Sequence, residues 1–323
     1  MFSYILRRLV QSVIVLLIVI VITFSLPYFQ PHGILAPAYS FLGARSTPYN
    51  VHIWAYQHGL LGSYWTRFYQ YIFQLVVHFN LGYSYKQELS VRTIIALYVP
   101  RTVWLALSAL IFTFIIAVPL GIFQASRRNT TIDYVATGGA FLLYAIPTFL
   151  LCLLAIEIFG FNTLHLPISP PEGVAPWAIF TDPKSFILPV GCLTLLGVAG
   201  ISRFMRGSVL EVLVQDYVRT ARAKGCSARR VLWRHCFRNA LGPIVTILGL
   251  SIPALFGGAL IVEYVFNYSG LGLQTLNAAL QFDVPVVLGI TILVSIFTLL
   301  GNLAADVTLG IIDPRLRIQG TDK

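Results

Sequence analysis

Between two apolar stretches of this 323-residue chain lies Asp216-Tyr217-Val218-Arg219-Thr220-Ala221-Arg222-Ala223-Lys224-Gly225, a segment that is both basic and built from small residues. Arg219, Arg222 and Lys224 project positive charge beside Asp216, while Thr220, Ala221, Ala223 and Gly225 let a second backbone come close. The chemistry offered is docking rather than bond making. The same charges also suit anionic lipid, or simply a loop kept on one side of a membrane. Upstream, Val209, Leu210, Leu213, Val214, Tyr217, Val218 and Ala221 recur at intervals of three and four, which predicts an amphipathic helix. Gly225 can adopt the left-handed conformation that ends a helix, and Ser227 is a good N-cap for a next helix from Ala228 to Asn239. The expectation is helix, sharp turn, helix.

Three carboxylates fall within or beside apolar runs: Glu157, Glu263 and Asp306. An ionisable residue at membrane depth is a functional candidate, and Glu157 and Glu263 stand where an amine or a cation would pass on a translocation path. Snorkelling or pairing is the alternative for each, and Asp306 has Arg315 nearby in sequence. Of the four cysteines, Cys152 and Cys192 sit in apolar runs. Cys226 and Cys236 flank His235 without the second Cys-x-x-Cys half of a zinc pattern, so structural cysteines and no metal are expected. The chain contains no Gly-x-x-x-x-Gly-Lys-Ser/Thr loop, no His-Glu-x-x-His and no Gly-x-Ser-x-Gly. Gly270-Leu271-Gly272 lacks the third glycine and the preceding strand of a dinucleotide site. No catalytic residue is expected.

The elements that must position these residues are membrane helices. Hydrophobic residues make up 57% and charged residues 11% of the chain, against roughly 25% charged in soluble domains. Six runs are long enough to cross the hydrocarbon: near 9–29, 103–123, 134–159, 186–204, 241–265 and 285–309. After the first run comes Ser25-Leu26-Pro27-Tyr28-Phe29, which lacks a small-residue cleavage site and predicts an uncleaved helix. With both termini cytoplasmic, the outside segments hold only Arg45, Arg67, Lys86, Arg92, Arg101 and Lys184, leaving 16 of the 22 Lys and Arg inside. The formal net charge of +10 thus reports topology rather than nucleic-acid binding. The expected organisation is a single membrane domain with an aromatic-rich external segment, 30–102, and a cytoplasmic loop, 203–240. The aromatics of the external segment read either as an interfacial belt or as a helical cap on which a soluble receptor docks.

Further motifs carry a resemblance. Thr220, Ala221 and Gly225 keep the small-small-three-residues-Gly spacing of the EAA loop, followed by His235, Arg238-Asn239-Ala240-Leu241 and Pro243. Ile5-Leu6-Arg7-Arg8-Leu9, Leu81-Gly82-Tyr83-Ser84, Pro100-Arg101-Thr102 and Pro119-Leu120-Gly121 stand before it. Glu263-Tyr264-Val265-Phe266, Asp283-Val284-Pro285, Asn302-Leu303, Asp306 and Asp313-Pro314-Arg315-Leu316-Arg317 follow. In this order and over nearly its whole length, the chain resembles the dipeptide/oligopeptide/nickel permease family of binding-protein-dependent ABC importers. It departs from the family at Ser269, where Pro is usual, at Phe29-Gln30-Pro31-His32-Gly33, at Gly59-Leu60-Leu61 and at Leu309. These changes lie away from the 203–240 loop.

The resemblance implies an all-α permease of the type I importer fold with six membrane helices, in a bacterial or archaeal inner membrane. It implies a transport subunit and not an enzyme, working with a second homologous permease, two cytoplasmic ATPases that hold ATP with magnesium, and an extracytoplasmic solute-binding protein. Asp216, Arg219, Thr220, Ala221, Arg222, Ala223, Lys224 and Gly225 then form the ATPase-coupling loop. The solute is expected to be a di- or oligopeptide, with nickel or another non-peptide solute as the alternative. An ion-coupled secondary transporter is the rival class. It would show two matched halves with interrupted helices, and no such internal symmetry is visible.

Overall fold

Helices form here because apolar runs in lipid have no other way to satisfy their backbone, and polar caps decide where they start. The computed structural model describes residues 2–312 apart from Gln30, Pro31, Ala44 and 172–174; the side chains of residues 2–6, 8, 9, 235, 238, 305–312 and most of 243–258 lie outside that description. The regular elements among the described residues are all helices, with one isolated bridge between Tyr83 and Ser90. They divide into two compact units, one from Met1–Arg101 with Ser269–Leu299 and one from Thr102–Tyr268 with Leu300–Lys323.

The first unit opens with α1 (Phe2–Ser25), continues through α2 (Ala36–Leu42), α3 (Pro48–Gln57) and α4 (Tyr64–His78), and takes in the start of α5 (Val91–Ser126). The Thr47 hydroxyl accepts from the Asn50 N–H at 3.4 Å and Ser63 from Thr66 at 3.4 Å, capping α3 and α4. The segment expected as an external excursion is therefore largely helical. Its core is Ala38, Val51, Trp54, Ala55 and Leu60. Asp283 anchors this unit from the far end of the sequence. Its buried carboxylate accepts from the Ser84 hydroxyl and from the N–H groups of Tyr85 and Lys86 at 3.2 and 3.4 Å. Burial pushes the nearby Tyr85 phenol up to about 12, with Arg67 pulling down and Asp283 pushing up.

The second unit holds the rest of α5, then α6 (Thr131–Ala145), α7 (Thr148–Ala155) with a π-helical extension Ile156–Asn162, and α8 (Ala178–Thr181). It continues with α9 (Ile187–Leu213), α10 (Asp216–Ala223), α11 (Ala228–Arg230) and α12 (Phe237–Val265). Between the two parts of the first unit's sequence comes this block, and α13 (Leu271–Leu280) and α14 (Val284–Ile312) are the last described elements. Helix α9 is central to its unit and packs on α6, α7 and α12. It approaches α5 closely at glycines: a Cβ on Gly121 would lie 2.6 Å from the Ser202 carbonyl oxygen, and one on Gly197 2.7 Å from the Thr113 side chain. Thr113 and Thr194 add hydroxyl-to-carbonyl bonds across the pair at 3.4 Å each. Small residues with threonine bonding are how helices associate where lipid removes the hydrophobic drive.

Two boundaries differ from the sequence expectation. The second run starts at Val91 rather than near 103, because the Ser90 hydroxyl caps it by accepting from the Thr93 N–H at 3.1 Å and the helix continues through Pro100. The run near 134–159 is not one straight helix. It bends by 104° between Thr131–Ala145 and Thr148–Asn162. Pro147 forces this, since its ring disfavours the helical region for Ile146, which sits extended at φ −71° and ψ 125°. Among the described residues four helices are long and apolar enough to cross a membrane, Val10–Phe29, Val91–Ser126, Pro183–Leu213 and Val284–Ala304, or five counting the bent pair as one span.

Candidate functional site

Helix α10 is held by one edge and offers the other. Val218 and Ala221 are buried against Val231 and Cys236, with Val212, Leu213 and Cys226 packed around them. Opposite this edge Asp216, Arg219, Thr220, Arg222, Ala223, Lys224 and Gly225 are exposed, so Ala221 alone of the expected docking residues serves the core. Arg229, Arg230 and Arg234 extend the exposed basic surface beyond the turn. The Asp216 to Arg219 ion pair at 3.5 Å is almost fully solvated and contributes little.

Hydrogen bonds close the end of α10 in a defined pattern. The Gly225 N–H donates to the Arg222 carbonyl at 2.9 Å and the Cys226 N–H to the Ala221 carbonyl at 3.2 Å. This is the Schellman closure, which puts its penultimate residue in the left-handed region, and Gly225 has φ +79°. A Cβ on Gly225 would meet no atom within 4 Å. Glycine therefore supplies a conformation and an open surface here, not packing room. The Ser227 hydroxyl then accepts from the Arg230 N–H at 3.4 Å, starting the next helix where the sequence places it.

That next helix does not run evenly to Asn239. After α11 comes a π-helical turn, Val231–Cys236, and then α12 continues without a break into an apolar span. Residues five apart point to different faces of an α-helix. The wider π turn brings Val231 and Cys236 together under α10, where both are buried. Upstream, the expected single amphipathic helix breaks at Val214-Gln215, with Gln215 extended at ψ 147°, which redirects the chain so that Val218 and Ala221 reach this cluster. The Asn239 amide donates to the Tyr217 hydroxyl at 2.7 Å and ties α10 to α12. Burial pushes the Cys236 thiol up, opposed by Arg222, so it stays a protonated, inert packing residue. The His235 side chain lies outside the described residues, as does that of Arg238.

Behind the loop stands a contact that sequence reasoning missed. Arg206, near the end of α9, donates from Nε and Nη2 to the two oxygens of Asp133 at 2.8 Å each, a bidentate pair. Asp133 is buried and also accepts from the Asn129 N–H at 3.1 Å and the Thr137 hydroxyl at 3.4 Å. The two partners are 73 residues apart, so no spacing rule reveals them. The available signal was an acid bordering a membrane run, three residues after the N-cap Thr130.

The arrangement is a rigid elbow: an exposed basic helix fixed by apolar contacts to the ends of two long helices, with a charged clamp on the first of them. The sequence profile of the family "Binding-protein-dependent transport system inner membrane component" matches residues 117–318, which contain this whole elbow, and the N-terminal companion profile of the same transport systems matches residues 1–106. The chain belongs to this family. The permease is 32% identical over 318 residues to the oligopeptide transport system permease protein AppB of Bacillus subtilis, covering 98% of this chain and 99% of that one. It is 34% identical over 320 residues to OppB of Salmonella typhimurium, covering 98% and 100%, and 34% identical over 253 residues to the dipeptide permease DppB of Bacillus subtilis, covering 77% and 79%. It is a transport subunit rather than an enzyme, and a multi-pass inner-membrane protein.

The remaining candidates of the permease stand apart from the elbow. Glu157 lies in the π-helical extension of α7, exposed, and accepts from the Asn162 amide at 2.9 Å. Glu263 is fully buried in α12 and accepts from the Thr102 hydroxyl at 2.6 Å. The expected Asp306 to Arg315 pairing lies outside the described residues. Among the described residues no three His, Cys, Asp or Glu side chains gather as a metal site.

Proposed function

We propose that this permease forms, with a second homologous permease, the membrane pathway of an ATP-driven importer for di- or oligopeptides. Six spans are proposed, with α12, a 29-residue helix, added to the five counted above. The observation that carries the reading is the exposed Arg219-to-Gly225 surface of α10, locked by Val218 and Ala221 to the base of α12. Two cytoplasmic ATPases hold ATP and magnesium; this chain holds neither. An extracytoplasmic binding protein delivers the solute. When the ATPases close, α10 moves with the groove that receives it. The movement reaches α12 through Val231, Cys236 and the Asn239 to Tyr217 bond, and α9 through Leu213. The peptide assignment rests on the relatives, which are named as oligopeptide and dipeptide permeases and match end to end. Glu157, exposed in an irregular helix, is the carboxylate proposed to border the pathway, with Glu263 held in reserve by its burial.

Reconstitution tests this. The purified chain alone should hydrolyse no ATP above background, whereas vesicles holding the complete complex should take up a labelled peptide only with ATP and the binding protein present. Peptide uptake driven by an ion gradient without ATP would place the protein in the rival class. The proposed orientation, both termini and the 203–240 loop cytoplasmic, follows from the distribution of Lys and Arg. In a background lacking the four native cysteines, an impermeant thiol reagent applied to sealed cells should label Leu61→Cys and not Arg229→Cys. Both positions are exposed, so labelling at 229 from outside overturns the orientation.

A further inference from the structure

Helix α4 is turned the wrong way for a helix in water. Trp65, Tyr69, Phe73, Val76 and Val77 are exposed along one face. Arg67, Gln70, Tyr71 and Gln74 repeat at the same helical spacing on the other, where they line a cavity of about 640 Å³. Apolar outward and polar inward suits a helix lying at the boundary of lipid and water with a polar chamber behind it. The tether of α4 sets that level. Its Tyr64 hydroxyl is 2.9 Å from that of Ser25, the last residue of α1, and the Phe24 ring packs edge-on against Tyr64 and Phe68. Phe24 and, from α14, Val284, Pro285 and Leu288 also line the cavity, so the chamber sits where membrane-spanning helices end.

The chemistry of the chamber is that of an anion site. The half-buried Arg67 guanidinium lies over the rings of Phe24 and Tyr28, at 5.9 and 5.6 Å from their centroids, and donates to the Tyr28 hydroxyl at 2.9 Å. It forms no ion pair among the described residues, and a guanidinium has five N–H donors. One turn along, the Tyr71 hydroxyl is buried with no hydrogen-bond partner among the described residues. Burial pushes its pKa upward, so it remains a neutral donor. Leaving the buried Tyr71 hydroxyl unsatisfied is costly, and an anionic oxygen acceptor satisfies it while also pairing with the guanidinium donors that Arg67 does not spend on Tyr28. Glu88, the acid that lines the same cavity, is exposed at the rim and solvated. Asp283 is already engaged by Ser84, Tyr85 and Lys86.

We propose that this chamber binds the phosphate of a phospholipid headgroup from the adjoining leaflet, with Arg67 and Tyr71 donating to its oxygens and the aromatic wall receiving the first carbons of the lipid. Planar donation to a phosphate is what a guanidinium does best, and the exposed aromatic face of α4 puts lipid at the entrance. The site lies outside the coupling elbow and does not depend on which solute is carried.

The test uses the complete transporter, purified in detergent, stripped of lipid and titrated with dioctanoylphosphatidylglycerol, with bound lipid counted by native mass spectrometry. Tyr71→Phe keeps the ring and loses the donor, and its affinity for the saturable lipid should fall about tenfold. Arg67→Gln should lose that lipid altogether, while trialanine in excess should leave it in place. Equal lipid retention by the parent protein and Tyr71→Phe overturns the proposal. So does displacement by trialanine, which would assign the chamber to a peptide carboxylate.

Discussion

Gly225→Val is expected to insert in the membrane, keep its helical content and lose solute uptake. The backbone at Gly225 has φ +79°, and placing a β-branched residue there costs roughly 1–2 kcal/mol. Nothing lies within 4 Å of the added Cβ, so the penalty is conformational and the Val218, Ala221, Val231 and Cys236 cluster is left intact. The fold survives such a cost. The docking face does not, because relaxing the strain opens the Schellman closure, and the valine side chain stands out where small residues invite a partner backbone. Gly225→Asn is the discriminating control. Asparagine tolerates the left-handed region, so it should keep ATPase assembly better than valine despite its size. Arg222→Glu and Lys224→Glu should give milder losses, since exposed rim charges mainly steer association. The readouts are peptide uptake in reconstituted vesicles and co-purification of the ATPases. Should Gly225→Val retain normal uptake and normal assembly, α10 is a topogenic or lipid-facing segment and the coupling proposal is wrong.

What could be read from the sequence was mostly local. The left-handed glycine and the Ser227 cap follow from residue type and neighbouring apolar spacing, and the structure places both where expected. The even helix expected from Ala228 to Asn239 was wrong because tertiary burial of Val231 and Cys236 favours a π turn, and no propensity encodes that. Pro147 was visible within the 134–159 run, but hydropathy averages over a proline, and a bend of 104° changes which residues face lipid. In the 30–102 segment the aromatics were legible as a group, whereas the sorting of α4 into an exposed Trp65, Tyr69, Phe73 face and a cavity face at Arg67 and Tyr71 appears only once the helix is set against Phe24. Long-range pairs such as Ser84 with Asp283 leave no trace in spacing at all.

The clamp between Asp133 and Arg206 carries the second large effect. Asp133→Leu leaves a guanidinium that is 27% exposed without its carboxylate, and orphaning a buried charge costs about 3–5 kcal/mol. Because water reaches Arg206, the lower end, about 3 kcal/mol, is expected. Arg206→Leu should cost at least as much, since the stranded Asp133 side chain is only 2% exposed and keeps just Asn129 and Thr137 as donors. The double variant Asp133→Leu with Arg206→Leu should then be more stable than the sum of the singles, because no charge remains to be stranded. Thermal unfolding of the detergent-purified complex measures all three, and strictly additive losses would show that the clamp is not a coupled pair. The consequence for transport follows from chain order: Arg206 lies about two turns before the end of α9, and α10 begins three residues after that end. An α9 freed from α6 can absorb the movement of α10 instead of passing it on. The singles should therefore hydrolyse ATP with less peptide moved per turnover, and the double variant, though better folded, should not recover that coupling, since leucines restore packing but not the bidentate geometry that fixes the angle between the two helices.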